Sequence, residues 1–568
     1  MNIKERVLEW LSPPFDQDTQ NLVKELQKEP EKLEDAFYTQ LKFGTGGMRG
    51  VLGAGTNRIN KYTLGKNTQG LSQFLKNRYP SQKIKAVIAY DCRHQSESLA
   101  KTVADIFTAN GIYCYLFSDL RPTPELSFAV RHLQAHCGIV LTASHNPPEY
   151  NGYKVYGQDG GQLVPPEDEA VIKDINQTSF SEIQFQGNNK LLEYIDQDID
   201  NAYHKALLLD AKVHDLNKDQ LKIVFTPIHG TSITALPQVL EKAGYQHIYV
   251  VPEQKEPDGN FPTVSSPNPE DIEALDMAVN LAKKHDAHIV IGTDPDADRL
   301  GIVVRDKENE WFYLNGNQIM IVLTEYLLSI KQSKGELSTQ DFIASTIVSS
   351  PMIEEIATAY NVSFKSCLTG FKWIAKLIED HPKLNFIGGG EESFGYLVGS
   401  NVRDKDAISA SLLVCELAAE LLGKGKNIFD FLLECYEKYG LFYERLHSIT
   451  KKGKEGAQAI EKQMTQLRSD PPSEFGGVKL LRIEDYQTSS SIDFQMQKKH
   501  SLDLPKANVL IFILEDESRI ALRPSGTEPK IKFYFSVRAA FDSNKTWQEQ
   551  QKALDEKINR FLNDLVLS

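Results

Sequence analysis

The sequence predicts an α/β protein with three related α/β domains and a smaller α+β domain at the C-terminal end. At 568 residues, the chain can hold roughly three to five domains of ordinary size. Its central part repeats the order strand, helix, strand, helix, strand three times. Each repeat ends on a strand that runs directly into a polar loop. The alternation favours parallel strands covered by helices, and the repetition indicates related domains.

The strands of the repeats are short apolar runs separated by stretches with helical spacing. In the first repeat they are KIKAVIAYD (83–91), IYCYLFS (112–118) and CGIVLTAS (137–144). In the later repeats they cover 221–230, 247–251 and 287–296, and then 341–350, 362–368 and 385–393. The α+β domain is predicted from a charged helical segment (453–469), three apolar runs (509–514, 519–523 and 530–537) and a long helix near 543–566.

Composition and charge exclude several classes of protein. The formal net charge is −14, from 63 basic and 77 acidic side chains, which disfavours binding to a nucleic-acid backbone. No stretch approaches the roughly 18 apolar residues of a membrane span, and MNIKERVLEWL is too charged for a secretory leader. The six cysteines form no CxxC pair, which disfavours a zinc site and favours a reducing compartment. We therefore expect a cytoplasmic protein with neither nucleic-acid nor membrane partners.

Three aspartates follow the last strand of the second repeat, in GTDPDADR (292–299). Asp294, Asp296 and Asp298 are spaced by two, so their side chains can converge on one point in an extended turn. Carboxylates brought together repel one another unless a cation lies between them, and oxygen ligands suit Mg²⁺ or Ca²⁺. The segment lacks the Gly and the distal Glu of an EF-hand. The loop therefore predicts a metal site, with Arg299 as a phosphate contact. The alternative is a solvated acidic turn.

The first repeat ends in TASHNP (142–147). A serine followed by a histidine at a strand end can be a nucleophile with a neighbouring base, but it can equally be a turn that stops the strand. The segment has no GxSxG pattern, so it does not resemble a hydrolase elbow. Lys154 follows ten residues after Ser144 and is a candidate proton donor or phosphate contact.

Two further segments have the composition of phosphate-binding loops. FGTGGMRG (43–50) is rich in glycine and carries Arg49, but it lacks the ending of a Walker A loop. RPSGTEPK (523–530) offers guanidinium, hydroxyl, amide and ammonium donors of the kind that a phosphate dianion prefers. These donors are Arg523, Ser525, Gly526, Thr527 and Lys530. A simple turn is the alternative in both cases.

The third repeat ends in GGGEESFGY (388–396), where Glu391 and Ser393 are suited to bind sugar hydroxyls. A glycine turn before a helix, with a glutamate at the helix N-terminus, is the alternative. LTGFKWI (368–374) is similarly open, as a helix start or as a specificity loop.

Taken together, these segments resemble the α-D-phosphohexomutase family, in the right order and across nearly the whole chain. TASHNP, GTDPDADR, GEESFG and RPSGTEP carry the resemblance, and the surrounding sequence is most similar to the bacterial phosphoglucomutase branch, which is close to phosphopentomutases. The resemblance implies three α/β domains with mixed sheets and a C-terminal α+β domain, arranged as a heart around a central cleft. It implies domains at 1–205, 206–314, 315–435 and 436–568, each of which supplies one loop.

The resemblance also implies roles for individual residues. Ser144 would carry the phosphate and, with Asp294, Asp296 and Asp298, hold Mg²⁺. The remaining residues would contact the transferring group (Arg49, His145, Lys154, Arg299), the sugar (Thr369, Gly370, Glu391, Ser393) and the phosphate that does not react (Lys405, Arg523, Ser525, Gly526, Thr527, Lys530). Some relatives have a His after the sugar-binding serine. Because Phe394 follows Ser393 here, His145 and Lys154 are the remaining candidates for moving the proton.

The implied activity is the interconversion of glucose 1-phosphate and glucose 6-phosphate through a phosphoserine, with glucose 1,6-bisphosphate as intermediate and activator. Mannose or pentose phosphates are the alternative substrates. A metal-dependent phosphatase would leave the second phosphate site unused, and a silent sugar-phosphate binder would be expected to have lost its serine or an aspartate. We expect small sugar phosphates as partners and a monomer or weak homodimer.

Overall fold

The computed structural model describes residues 2–44, 46–212, 216–451, 453–525 and 530–567. The chain divides into two compact units. The first comprises Met1–Ile319 and Phe371–Phe429, and the second Met320–Gly370 and Asp430–Ser568.

The N-terminal part of the first unit is a six-stranded mixed sheet covered by helices. Its strands are β1 (Gly47–Val51), β2 (Lys85–Tyr90), β3 (Tyr113–Phe117), β4 (Cys137–Leu141), β5 (Tyr150–Tyr156) and β6 (Leu192–Ile195). Its helices are α1 (Ile3–Trp10), α2 (Gln17–Leu26), α3 (Pro30–Phe37), α4 (Lys61–Arg78), α5 (Ser96–Ala109), α6 (Thr123–His132), α7 (Glu167–Gln177) and α8 (Gln197–Ala211). The strand order is β1–β5–β4–β2–β3–β6. Strands β4, β2, β3 and β6 pair in parallel, whereas β5 is antiparallel to both of its neighbours.

The central strands of this sheet are apolar because helices cover both faces. Strand β4 is buried at every position, and β2 at all but its first. Ile88 and Ile139 on these strands share one core with Val103 and Phe107 of α5. Helices α1 to α3 lie outside this core and have their own, in which Trp10 is fully buried.

The second sheet of the first unit repeats this arrangement with five strands. They are β7 (Lys222–Thr226), β8 (His247–Val250), β9 (Ile289–Thr293), β10 (Leu300–Arg305) and β11 (Trp311–Leu314), with helices α9 (Leu236–Ala243), α10 (Pro252–Lys255) and α11 (Ile272–His285). The order is β11–β10–β9–β7–β8. Strands β9, β7 and β8 are parallel, and β10 is antiparallel to β9. The strand that follows the last parallel strand therefore returns antiparallel, as β5 does.

The third repeat contributes elements to both units. In chain order they are α12 (Gly316–Ser333), β12 (Asp341–Thr346), α13 (Met352–Ala359), β13 (Ser363–Cys367), α14 (Lys372–Asp380), β14 (Asn385–Glu391), β15 (Gly395–Val398), α15 (Ala407–Gly423) and α16 (Ile428–Tyr439). Within the first unit, β15 returns antiparallel to β14. Within the second unit, β12 and β13 pair in parallel. Helix α8 packs on α6, α9 and α15 and so joins all three repeats.

The rest of the second unit is an antiparallel sheet with two long helices. Its elements are β16 (Leu441–Thr450), α17 (Gly453–Ser469), β17 (Glu474–Phe475), β18 (Val478–Asp485), β19 (Ser490–Asp493), β20 (Lys498–Ser501), β21 (Leu510–Leu514), β22 (Arg519–Pro524), β23 (Lys530–Ala539) and α18 (Trp547–Leu567). The order is β16–β23–β22–β21–β18–β19–β20, and β17 pairs with β18.

The predicted fold class is confirmed, because each predicted apolar run contains a strand of the structure. The predicted parallel strands lie where the sequence places them, and the return strands β5, β10 and β15 make the sheets mixed. All six cysteines carry free thiols. Within the described ranges, no helix combines the length and the apolar character that a membrane crossing needs.

A buried glutamate in the second unit makes its stability depend on pH. Glu444 on β16 is 9% exposed, and its carboxylate accepts a hydrogen bond from Ser536 Oγ at 3.0 Å. Burial raises the pKa of Glu444 to about 7, although the hydrogen bonds of Ser350 and Ser536 oppose the shift. Because this folded-state pKa lies above the unfolded value, the folded state favours the protonated acid. Stability therefore falls as the pH rises from the ordinary pKa of a glutamate to the folded-state value of about 7.

We expect Glu444→Gln to remove this pH dependence. Between pH 5 and pH 8, the wild-type free energy of unfolding should fall by about 2–3 kcal/mol relative to that of the variant, since the glutamine cannot ionise. Urea denaturation of both proteins at the two pH values measures the difference. Glu515→Gln, at an exposed glutamate of the same unit, is the control and should follow the wild type. Parallel curves for wild type and Glu444→Gln would contradict the assignment.

Candidate active site

Three buried carboxylates lie directly beyond the end of β9, where the sequence predicts a metal site. Asp294, Asp296 and Asp298 have exposures of 0%, 0% and 1%, and one oxygen of each lies within 4.8 Å of the others. The loop that carries them joins β9 to its return strand β10, so buried strands hold it at both ends. A solvated acidic turn is therefore excluded, and the cluster can hold a divalent cation.

Asp294 is fixed by the backbone of its own loop. Its Oδ1 accepts hydrogen bonds from the amide groups of Asp298 and Arg299, each at 3.0 Å. Its Oδ2 accepts a hydrogen bond from Ser144 Oγ at 2.6 Å. The serine that ends the first repeat therefore contacts the aspartate cluster that ends the second.

Asp296 and Asp298 each contact neighbouring protein side chains through one carboxylate oxygen, Oδ2. Asp296 Oδ2 accepts from Thr123 Oγ1 at 2.9 Å and from Lys154 Nζ at 2.7 Å. Asp298 Oδ2 lies 3.1 Å from Lys154 Nζ and 2.8 Å from Lys405 Nζ. The other oxygen of each carboxylate is buried and has no hydrogen-bond partner among the described residues. Two unpaired carboxylate oxygens beside Asp294 are the donor set that a hard divalent cation requires.

The charges around the cluster oppose one another. Burial raises the pKa of Asp294 well above its usual value, and the neighbouring aspartates add to the shift. Burial also acts on Asp298, but Lys154, Lys405 and Arg299 outweigh it and hold its pKa well below the usual range. The same attraction raises the pKa of both lysines against the effect of burial, so both carry a positive charge.

The phosphate-carrying candidate, Ser144, has a strained backbone. Its φ is +52°, in the left-handed region that residues with a Cβ seldom adopt, and its amide donates to Thr142 Oγ1 at 2.8 Å. The Ser144 side chain is therefore turned out of the line of β4 and towards Asp294. His145 Nδ1 lies 3.2 Å from Ser144 Oγ. Burial lowers the pKa of His145 well below its usual value, and Arg299 and Arg49 add to this effect.

A buried arginine holds the serine loop in this conformation. The Arg93 guanidinium donates to the carbonyl oxygens of Ser144 at 2.6 Å, Pro147 at 2.8 Å and Tyr150 at 3.0 Å, and also to that of Asn146. Because one guanidinium donates to four backbone carbonyls, Arg93 fixes the path of the whole loop.

Arg93 is in turn held from both sides. Its Nε lies 3.4 Å from Asp91 Oδ2, and its guanidinium lies 5.0 Å from the centre of the Phe261 ring. Phe261 belongs to the second repeat, so that repeat supports the loop of the first.

The other predicted contacts of the transferring group lie beside these loops. Arg49 on β1 is exposed and donates to Asn146 Oδ1 at 2.7 Å, in the loop that carries Ser144. Arg299 forms an ion pair with Glu270. The attraction of Glu270 and Asp294 raises the pKa of Arg299 although burial opposes it.

The predicted sugar-binding turn lies in the first unit, between β14 and β15. Glu391 is 6% exposed, and burial raises its pKa to about 7 against the attraction of Lys405. Ser393 is half-buried. The carbonyl of Phe394 accepts a hydrogen bond from the Leu300 amide at 2.9 Å, which ties this turn to the strand after the aspartate loop. The structure therefore brings the turn close to Arg299 and Lys405.

The remaining predicted residues lie in the second unit or outside the described residues. Thr369 and Gly370 precede α14, and Gly370 has a φ of +108° with open space beside it. Arg523 and Ser525 are half-buried at the end of β22, and the Ser525 amide donates to the Lys530 carbonyl at 2.7 Å. Gly526 and Thr527 lie outside the described residues.

The sequence reasoning missed several residues that shape this site. Arg93 and Asp91 follow β2 in the segment YDCRH, and Thr123 begins α6 in the segment RPTPE. Both segments stand at the carboxyl end of a strand or the start of a buried helix, which is a signal that could have found them. Asp404 precedes Lys405, and only the lysine was predicted.

Models of one family match three segments of the chain. They are described as phosphoglucomutase/phosphomannomutase, α/β/α domains I, II and III, and they match residues 40–182, 201–307 and 315–439. Since these segments cover more than half of the sequence, the chain belongs to the phosphoglucomutase/phosphomannomutase family. The predicted family is confirmed.

Two staphylococcal proteins illustrate the similarity. The chain is 42% identical over 518 residues to the phosphoglucomutase of Staphylococcus epidermidis (strain ATCC 12228), covering 89% of this chain and 92% of that protein. It is 41% identical over 530 residues to the phosphoglucomutase of Staphylococcus aureus (strain MRSA252), covering 91% and 94%.

Solved structures share the fold at lower identity. Parafusin, a phosphoglucomutase from Paramecium in an open form, has a TM-score of 0.68 at 18% identity and covers 93% of this chain and 94% of its own. A phosphoglucomutase/phosphomannomutase family protein from Burkholderia thailandensis has a TM-score of 0.67 at 18% identity, with 93% and 98% covered.

We expect Thr123→Val to weaken metal binding, because Asp296 would lose the hydroxyl that orients it. Loss of such an outer hydrogen bond typically costs about 10- to 100-fold in metal affinity. Titration with Mn²⁺, followed by electron paramagnetic resonance, measures this affinity without turnover. Thr108→Val is the control, since Thr108 is a buried threonine of the same sheet domain whose hydroxyl donates to helix carbonyls and accepts from the Asn188 amide. Equal Mn²⁺ affinities in the two variants would contradict the role of Thr123.

Proposed function

We propose that this chain interconverts glucose 1-phosphate and glucose 6-phosphate through a phosphoserine at Ser144. The observation that carries the proposal is the 2.6 Å hydrogen bond from Ser144 Oγ to Asp294, which joins a strained serine to a buried carboxylate cluster. An isomerase of the phosphoglucomutase kind follows from the family and from relatives named phosphoglucomutase at 41–42% identity.

The metal of this site would be Mg²⁺. An all-oxygen donor set of Asp294, Asp296, Asp298 and a phosphoserine oxygen suits this ion, and the unpaired oxygens of Asp296 and Asp298 support the assignment. When bound, the ion would neutralise phosphate charge and polarise the phosphorus for attack.

Transfer from the enzyme to the sugar needs one bond broken and one formed. The bond between Ser144 Oγ and phosphorus breaks as a sugar hydroxyl oxygen bonds to phosphorus. The hydroxyl gives up its proton, and Ser144 Oγ takes one up. His145 Nδ1 lies 3.2 Å from Ser144 Oγ, within reach for exchanging a proton with it. Lys154, Arg49 and Arg299 would stabilise the charge on the transferring oxygens.

The second half of the reaction reverses these steps on the other end of the sugar. The bisphosphate must turn over and return its other phosphate to Ser144, so one phosphate site has to accept either end of the molecule. We assign this site to the donors of the RPSGTEPK segment together with Lys405. The donors are generic phosphate ligands, and the segment's residues are Arg523, Ser525, Gly526, Thr527 and Lys530. Glucose 1,6-bisphosphate would recharge a dephosphorylated Ser144.

The sugar itself would be held by the third repeat. Glu391 and Ser393, with Thr369 and Gly370, would contact the hydroxyl groups. These residue types do not separate glucose from mannose or pentoses, so comparison of kcat/KM across the sugar phosphates tests the preference for glucose.

We further propose domains at 1–205, 206–314, 315–435 and 436–568, and a cytoplasmic monomer or weak homodimer.

We expect Ser144→Ala to abolish mutase turnover and phosphate uptake, because no other group would carry the phosphate. The mass of the intact protein, before and after incubation with glucose 1,6-bisphosphate and Mg²⁺, measures the uptake beside a coupled activity assay. Ser72→Ala, at a buried serine that donates to a carbonyl of α4, is the control and should gain one phosphate. Near-normal turnover in Ser144→Ala would remove the phosphoserine from the mechanism.

We expect Arg523→Ala to weaken substrate binding, since a charged hydrogen bond to phosphate is worth about 1.5–3 kcal/mol. The KM for glucose 1-phosphate should rise accordingly. Steady-state kinetics at saturating glucose 1,6-bisphosphate provides the measurement, and Arg560→Ala, at an exposed arginine of α18, provides the control. An unchanged KM would move the phosphate site elsewhere.

A further inference from the structure

The segment that carries Lys405 is held by side chains from three different elements of the first repeat. The Arg403 amide donates to Ser127 Oγ of α6 at 2.9 Å. Asp404 accepts from Tyr156 OH of β5 at 2.7 Å, and Asp406 accepts from Tyr203 OH of α8 at 3.0 Å. Lys405, between them, extends to the aspartate cluster.

Asp404 has a dense set of contacts. Its Oδ2 accepts from Tyr156 OH and, at 3.2 Å, from Gln162 Nε2. Its Oδ1 accepts from the Lys405 amide at 2.9 Å and lies 3.6 Å from Lys405 Nζ. The Asp404 side chain is 3% exposed. A buried carboxylate fixed in this way directs the ammonium group beside it.

The stem of Lys405 is also confined. A Cβ atom at Gly395 would lie 2.5 Å from Lys405 Cδ, so the lysine passes directly over the glycine backbone. Its Nζ then reaches Asp298 Oδ2 at 2.8 Å. Lysine has a flexible four-carbon stem, and holding it in one conformation costs side-chain entropy that these contacts offset.

We infer that Tyr156 and Asp404 are positioning residues for Lys405 in the mutase reaction. Tyr156 fixes the Asp404 carboxylate, and Asp404 holds the Lys405 ammonium against Asp298. The inference rests on the proposed function, because it takes Lys405 as a phosphate contact.

By this arrangement, strand β5 positions both lysines that contact the aspartate cluster. Lys154 and Tyr156 lie two residues apart and so point to the same face of the strand. Lys154 contacts Asp296 and Asp298 directly, and Tyr156 acts on Asp298 through Asp404 and Lys405. Preorganised charges of this kind cost no rearrangement when the phosphoryl group transfers.

A double-mutant cycle tests whether Tyr156 acts through Lys405. We expect Tyr156→Phe to lower kcat/KM for glucose 1-phosphate about tenfold, since one hydrogen bond to a charged group is lost. In a Lys405→Met background the same change should have little further effect. Asp404→Asn should behave in the same way. Tyr153→Phe is the matched control, because Tyr153 is a fully buried tyrosine of the same strand whose hydroxyl bonds to Thr68 on the other face.

A second readout does not depend on turnover. Trace acetylation with isotopically labelled acetic anhydride, mapped by peptide mass, measures the accessibility of the Lys405 amine. It should rise several-fold in Tyr156→Phe and Asp404→Asn and stay unchanged in Tyr153→Phe.

The outcomes separate the inference from the proposed function. A wild-type protein without mutase activity, or a Lys405→Met variant with unchanged kcat/KM, would overturn the proposed role of Lys405, while the labelling still reports its position. An active wild type in which Tyr156→Phe and Lys405→Met effects simply add, or in which labelling of Lys405 does not change, would overturn the positioning role.

Discussion

The mutual repulsion of three buried carboxylates at the end of β9 is the constraint on which the site depends. Unit charges within 4.8 Å of one another repel by at least about 3.5 kcal/mol at an effective dielectric constant of about 20. The protein offsets this repulsion with two lysines, an arginine, a threonine hydroxyl and two backbone amides. These groups leave one oxygen of Asp296 and one of Asp298 buried without a partner among the described residues. The same arrangement of contacts therefore balances the charge of the carboxylates and leaves oxygens that can bind a cation.

The topology of the sheets holds the loop that carries these charges in place. In each repeat, the loop that carries the candidate site residues joins the last strand to an antiparallel return strand, as β4 to β5, β9 to β10 and β14 to β15. Both strands are largely buried, so the loop is anchored at both ends. Such loops can hold strained or charged residues that a free surface loop would release. The left-handed backbone of Ser144 is one example, and Arg93 secures it with bonds to four carbonyls.

The sequence predicted the parts of this protein that local patterns encode. Strands such as β9 and the long helix α17 are visible from apolar runs and periodicity, and the aspartate loop is visible because its three carboxylates are close in the chain. The groups that orient those carboxylates are not visible in this way. Thr123 lies 173 residues from Asp296, and Tyr156 lies 248 residues from Asp404, so only the folded topology brings each pair together. The return strands were not predicted from the sequence pattern, and the mixed sheets that they form were implied only by the family resemblance.

The positions of Lys154 and Lys405 in the chain have a consequence for biosynthesis. Lys154 is made before the aspartates it neutralises, whereas Lys405 follows them by much of a domain. A nascent chain that has just completed the second repeat therefore holds the aspartate cluster with only part of its final counter-charge. The cluster reaches its final electrostatic balance only after residue 405 has been made and α15 has packed on α8. Translation past residue 405 thus adds the Lys405 counter-charge to a cluster whose neighbouring serine, Ser144, was synthesised far earlier.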